Sequence, residues 1–199
     1  MKNKNSRRSS DILLLIASDK SAGKTVSYRY LFNMLGERAF GLVLLFFALP
    51  SALPLSAIPG VALVFSIPLA LCSLQMILGR QTLWIPGIIA RRSVEHETLK
   101  KMIEKALPFL VKMEQLLRPR LVFLFRRPIE MVTGFCIFIL SILLMLPIPF
   151  SNFILSGLII LFSLGFIEKD GLFILMAYIG SLVYFNFLFF LVRMLLPAF

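Results

Sequence analysis

Charge is scarce in this chain, and acid is scarcer. Of 199 residues, 16% are charged, and only 10 are Asp or Glu. A soluble domain carries about 25% charged and about 45–50% apolar residues. Here the apolar share is 59% and the mean hydropathy is +0.91. That balance argues against an ordinary soluble domain and points to an integral membrane protein. Cysteine is nearly missing too. Cys72 and Cys136 both fall in apolar segments, where they are expected to pack as small hydrophobes rather than to form a disulfide or bind metal. His96 is the single histidine and stands between Glu95 and Glu97. We expect it in solvent, with no metal site and no cofactor. No Ser/His/Asp set, Cys/His pair or Gly-rich phosphate loop stands out, so no enzyme constellation is evident. "SAGKT" (21–25) approaches a phosphate loop, but the required earlier glycine is replaced by Ser18 and no strand leads into it. A cleavable signal peptide is not expected either, because the apolar run in "DILLLIA" (11–17) is too short.

What charge there is comes in blocks. Residues 1–38 carry Lys2, Lys4, Arg7, Arg8, Lys20, Lys24, Arg29 and Arg38 against three acids. Residues 80–127 carry eleven Lys/Arg against four Glu. The remainder has only Lys169 and Arg193 as cations. Basic blocks between apolar segments mark the cytoplasmic side. The sequence pI of about 10.2 then reflects topology and attraction to anionic lipid head groups, not nucleic acid, for which no aromatic–basic module is present.

The expected fold is an all-α integral membrane protein with about five apolar helical segments, at 39–53, 57–78, 131–146, 152–167 and 172–196. Several of these runs are short for a bilayer, so they either span a thinned membrane or turn back as re-entrant hairpins. Sliding the chain by 93 residues lays Glu37 on Glu130, Gly41 on Gly134, and Leu53-Pro54 on Leu146-Pro147. The Pro-rich breaks "ALPSALPLSAIPG" (48–60) and "MLPIPFSN" (145–152) coincide. This suggests two parallel repeats, each a helix, a Pro-rich turn and a return helix, both entering from the cytoplasm. The chain divides into a cytoplasmic arm (1–38), membrane hairpin 1 (39–79), a basic cytoplasmic segment (80–127), and membrane hairpin 2 with a last membrane segment (128–199). In the arm, Thr25 or Ser27 is expected to cap a short amphipathic helix. In the basic segment, apolar residues at 99, 103, 106, 110, 113 and 117 make one face of a helix over 94–118, with Ser93 as N-cap and a stop at Arg118-Pro119.

Some motifs are more specific. Gln75 with Gly79-Arg80 and Trp84-x-Pro86, Glu114 with Arg118-Pro119-Arg120, Pro147-x-Pro149 and Lys169-Asp170-Gly171 occur in order along the chain. In that order and spacing the sequence resembles the ExoD family of bacterial membrane proteins, from about residue 10 to 190. The resemblance implies an inner-membrane role linked to exopolysaccharide synthesis, and the apolar segments with their basic flanks predict a multi-pass chain with its N-terminus in the cytoplasm. It implies no reaction.

Polar residues near membrane depth are the candidates for function. Gln75, Arg80, Glu168 and Asp170 are expected to line a cytoplasmic vestibule, since the 93-residue shift sets Gln75 opposite Glu168. The plainer reading is interfacial anchoring, with Gln75 in an interhelical hydrogen bond. Arg118 and Arg120 offer two guanidinium forks for phosphate, from a lipid head group or a lipid-linked sugar. The plainer reading there is inside-positive charge. Glu114 supports Arg118 one turn away, Trp84 marks an interface, and Asn152 is placed to cap a return helix. Three functions remain open: transport of an ion or anionic solute, an enzyme acting on a lipid-linked saccharide precursor, and a structural partner of polysaccharide-assembly proteins. Hairpins that met only through Leu, Ile and Phe would take away the basis of the transport reading.

Overall fold

The computed structural model describes residues 11, 14–15, 25–53, 61–80, 82–87, 93–146 and 151–195. It is nearly all helical. A strand β1 (Thr25–Ser27) leads into α1 (Tyr28–Leu35), and α2 (Arg38–Ala52) and α3 (Val61–Ile77) form the first hairpin. Strand β2 (Ser93–Glu95) precedes α4 (His96–Leu116). A short 3-10 turn (Val122–Phe125) leads to α5 (Arg127–Met145), α6 (Ser151–Glu168) and α7 (Gly171–Leu195).

Proline sets where the outgoing helices stop. Leu53 (φ −85°, ψ 159°) and Leu146 (φ −78°, ψ 134°) are both extended, and each precedes a proline. A following proline ring disfavours helical geometry, so α2 and α5 end there. The hairpin tips, 54–60 and 147–150, lie outside the described residues, as does most of "SAGKT". α5 begins at Arg127, earlier than 131, because Pro128 is well suited to the first helical turn.

Among the described residues three helices, Arg127–Met145, Ser151–Glu168 and Gly171–Met194, are long and apolar enough to cross a membrane. The apolar helices of the first hairpin are shorter, with 15 residues in α2 and 17 in α3. At about 1.5 Å rise per residue they reach roughly 22–26 Å, short of an average hydrocarbon core of about 30 Å.

The helices pack crosswise. α2 lies along α6 and α3 lies along α5, while α7 covers α6. Two glycines allow the close approach. A Cβ on Gly41 would come within 2.8 Å of the Ser163 carbonyl, and one on Gly134 within 2.7 Å of the Met76 Cβ. Ser163 Oγ donates to the Gly41 carbonyl at 2.7 Å, closing the first contact with a buried hydrogen bond. Between them the core is dense: Leu44, Leu69, Ile137, Leu140, Ile159 and Phe162 are all fully buried. Two tyrosines fasten α7. Tyr178 Oη bonds Thr133 Oγ1 on α5 at 2.7 Å, and Tyr184 Oη bonds Ser151 Oγ on α6. The outward faces stay apolar and bare, as Phe46, Val64, Phe135, Phe153, Val183 and Phe190 show.

A second, smaller core corrects the expectation for the polar segments. Ser93 does not cap a helix. It lies in β2, which pairs antiparallel with β1, Thr25 opposite Glu95 and Ser27 opposite Ser93. Ser27 does cap α1, accepting from the Tyr30 amide at 3.3 Å. Val26, Leu31, Leu99 and Ile103 are buried together, so α1, α4 and the ribbon pack on one another. Each amphipathic helix thus has a protein partner for at least part of its apolar stripe. Arg118-Pro119 lies past the end of α4, as the proline requires.

Adding a methyl at the crossing should cost stability. Gly134→Ala and Gly41→Ala should each lose about 1–3 kcal/mol, the usual penalty of overpacking. Gly157→Ala meets no atom within 4 Å and should gain about 0.5–1 kcal/mol from helix entropy. Thermal unfolding in detergent ranks the three, and a Gly134→Ala protein as stable as the parent would refute the close contact.

Candidate functional site

Charge collects at one end of the bundle, where α2 and α5 begin and α3 and α6 end. The residues are Glu37, Arg38, Glu130, Glu168, Lys169 and Asp170. Arg38, Glu168 and Asp170 are almost fully buried, at 6%, 4% and 2% exposure. Lys169 Nζ lies 2.9 Å from Glu37 Oε2, a pair joining the end of α6 to the start of α2. Glu130 is in electrostatic reach of Glu37, Lys169 and Arg127. One cation, Lys169, is therefore within reach of two carboxylates from different helices. Lys169 is left-handed (φ 55°), a conformation that costs a side-chain-bearing residue about 1–2 kcal/mol. Glycine is the usual residue there, so the ammonium is held at the expense of backbone strain.

Both oxygens of Asp170 are engaged. Its Oδ1 accepts from the Leu172 amide at 3.0 Å, capping α7, and its Oδ2 accepts from the Arg118 amide at 2.9 Å. The Gly171 amide donates to the Arg120 carbonyl at 2.8 Å. These bonds staple the 118–120 strand to the α6–α7 junction. Their chemistry is structural, since both carboxylate oxygens are engaged by backbone donors.

Gln75 does a similar job at the end of α3. Its Oε1 accepts from the Trp84 amide at 2.7 Å, while its carbonyl accepts from the Arg80 amide at 3.2 Å. The Arg80 side chain and the Trp84 ring are exposed. The structure thus groups Gln75 with Arg80 and Trp84, and Asp170 with Arg118 and Arg120. Among the described residues no hydrogen bond joins Gln75 or Arg80 to Asp170. Asn152 lies in the first turn of α6 rather than at its cap position, roughly 24 Å along the helix from Glu168. The Glu114 side chain lies outside the described residues. His96 joins no group of three metal-ligating residues among those described.

Glu37, Arg38 and Glu130 are charged residues of this end that are not among those expected from sequence. A signal was available: Glu37 and Glu130 are matched by the 93-residue shift, and each stands at the border of an apolar run.

The Glu37–Lys169 side chains are only 31% and 16% exposed. A double-mutant cycle with Glu37→Gln and Lys169→Met should therefore give a coupling above the 0.2–1 kcal/mol, roughly, of exposed pairs. A value near zero would mean the pair contributes nothing. Asp170→Ala should speed amide exchange at both Arg118 and Leu172, and lose about 0.5–2 kcal/mol as a cap alone. Unchanged exchange at Arg118 would refute the staple.

The family model described as "Exopolysaccharide synthesis, ExoD" matches residues 9–190. Protein ExoD of Rhizobium meliloti (strain 1021) is 36% identical over 170 residues, which cover 82% of this chain and 70% of that protein. An uncharacterized protein of Synechocystis sp. is 30% identical over 151 residues, covering 75% of this chain and 71% of the relative. No solved structure matches the chain. With one family model spanning almost its whole length and two relatives agreeing over most of it, the chain belongs to the ExoD family.

Proposed function

We propose that this protein is a multi-pass protein of the bacterial cytoplasmic membrane, N-terminus inside, that serves exopolysaccharide synthesis by moving an ion or anionic solute past its charged end. The name of the Rhizobium relative and the family description supply the process. The observation that carries the transport step is the charged cluster itself. Glu37, Glu130, Glu168 and Lys169 come from three helices and their junctions, at the end of apolar helices where charge is costly to keep.

A duplicated hairpin, α2–α3 and α5–α6, is part of this reading. The crosswise packing supports it, because exchanging the two hairpins turns the α2–α6 contact into the α5–α3 contact. Gly41 meets Ser163 and Ile167, and Gly134 meets Ser73 and Ile77. The outgoing helices thus match at the 93-residue shift, but the return helices match at 90. That register pairs Gly79 (φ 67°) with Lys169 (φ 55°). It also pairs the bond from Arg80 N to Gln75 O with that from Asp170 N to Gly165 O. Gln75 then corresponds to Gly165, and Glu168 to Leu78. In repeat-built transporters one unit rocks against the other, and here rocking would part the core around Leu44 and Ile137.

That dense core favours a second reading, a non-catalytic partner of a polysaccharide-assembly complex docking through α4. An enzyme using Asp170 as acid or base is disfavoured, because both oxygens already accept backbone bonds.

Proteoliposome flux separates the two. Under the transport reading, purified protein moves protons, a monovalent cation or phosphate, and Lys169→Met or Glu168→Gln cuts the rate severalfold while circular dichroism is unchanged. Absence of flux, together with capture of assembly proteins that is lost when 96–116 is scrambled, would overturn transport in favour of docking.

A further inference from the structure

We propose that the segment between α4 and α5 is a binding site for an anionic phospholipid, with arginine forks on the phosphate and an apolar wedge against the acyl chains. This rests on the membrane reading above. The segment is fixed in place. The Arg118 amide is held by Asp170, the Arg120 carbonyl by the Gly171 amide, and the Phe125 ring packs edge-on against Phe166 with centroids 5.7 Å apart. Gly171 permits this approach, since a Cβ there would fall 2.6 Å from the Leu121 Cβ.

With the backbone engaged, the side chains are left over. Arg118, Arg120, Arg126 and Arg127 are exposed. Among the described residues none of the four makes an ion pair, and the sequence has no acid between Glu114 and Glu130. Asp170, the carboxylate bonded to this segment, is nearly fully buried and taken up by amides. Among the described residues only Arg127 of the four has a carboxylate in electrostatic reach, Glu130; the other guanidinium groups call for an anion, and planar forks fit phosphate oxygens two at a time.

Between the arginines, Leu121, Val122 and Phe123 are 42%, 54% and 51% exposed. A soluble anion gives these residues nothing to bury against. A phospholipid does, and the surroundings agree: α5 starts at Arg127 and α7 at Gly171, and both carry bare apolar residues soon after they begin, Val132, Phe135 and Leu175. Phosphate-level cations thus border an apolar belt. Each arginine near an anionic bilayer surface should raise local anionic-lipid occupancy about fivefold.

The test is an indole placed on the wedge by Phe123→Trp in a Trp84→Phe background, in vesicles of phosphatidylcholine with a minor share of phosphatidylglycerol. Brominated phosphatidylglycerol should quench the indole severalfold more than brominated phosphatidylcholine at equal mole fraction. Arg118→Gln with Arg120→Gln and Arg126→Gln should abolish that preference while circular dichroism and vesicle flotation stay unchanged. Equal quenching by the two lipids, or a preference that survives the triple substitution, overturns the site. Loss of the preference on adding millimolar inorganic phosphate would assign the arginines to a soluble anion and overturn the lipid. Protein that fails to float with vesicles would sink the membrane reading itself, whereas flotation without lipid preference sinks only this inference.

Discussion

The crosswise contact of α2 with α6 and of α3 with α5 is the constraint on which the molecule depends. Helices in lipid gain little from hiding apolar side chains from one another, because the solvent is as apolar as they are. What holds them is close packing and interhelical hydrogen bonding. Gly41 and Gly134 supply the first, letting backbones approach where a methyl would collide. Ser163 supplies the second, donating to the Gly41 carbonyl. Only because α2 and α6 touch at this level can Lys169 reach Glu37. The charged end is therefore a product of the packing below it.

That end is also where the chain's polar parts converge. Asp170 starts α7 and at the same time anchors the strand leaving α4. Gln75 ties the chain leaving α3 through Trp84. Two side chains expected to line a vestibule, Gln75 and Asp170, thus both accept bonds from backbone amides. The reason is elementary: every helix end leaves unpaired backbone groups, and at an apolar boundary a side-chain acceptor is the ready way to satisfy them. Polar residues bordering apolar runs are drawn into capping before they are free for anything else.

This also explains what the sequence disclosed. The helices of the two hairpins and the last apolar helix fall close to their expected limits, because long apolar runs and prolines are local signals. Leu53 and Leu146 stop their helices for a reason visible in the next residue. The ribbon between Thr25–Ser27 and Ser93–Glu95 was not visible. Three-residue strands distant in sequence carry no usable periodicity, and Ser93 reads locally as a cap. Under the proposed duplication, the 90-residue register of the return helices rests on spatial contacts that the sequence does not display. Glu37 and Lys169 escaped notice as a pair because their meeting depends on helices far apart in the chain.

Under the proposed duplication, the informative places are those where the two units differ. At the left-handed position one unit has Gly79, and the other has Lys169. Next to it one has Arg80, whose side chain faces solvent, and the other has Asp170, buried and doubly bonded. Glycine is the easy choice at such a position, so Lys169 is the departure that needs a cause. Its ammonium compensates a carboxylate at the start of each outgoing helix, Glu37 directly and Glu130 through space. The return helix of the first unit leads into Gly79 and Arg80, while that unit's own Arg38 is buried at the same charged end. Lys169 therefore serves a glutamate of each unit, and a change in the spacing of α2 and α6 would disturb its pairing with Glu37. A site that can do more than hold itself together would be sought at that shared cation.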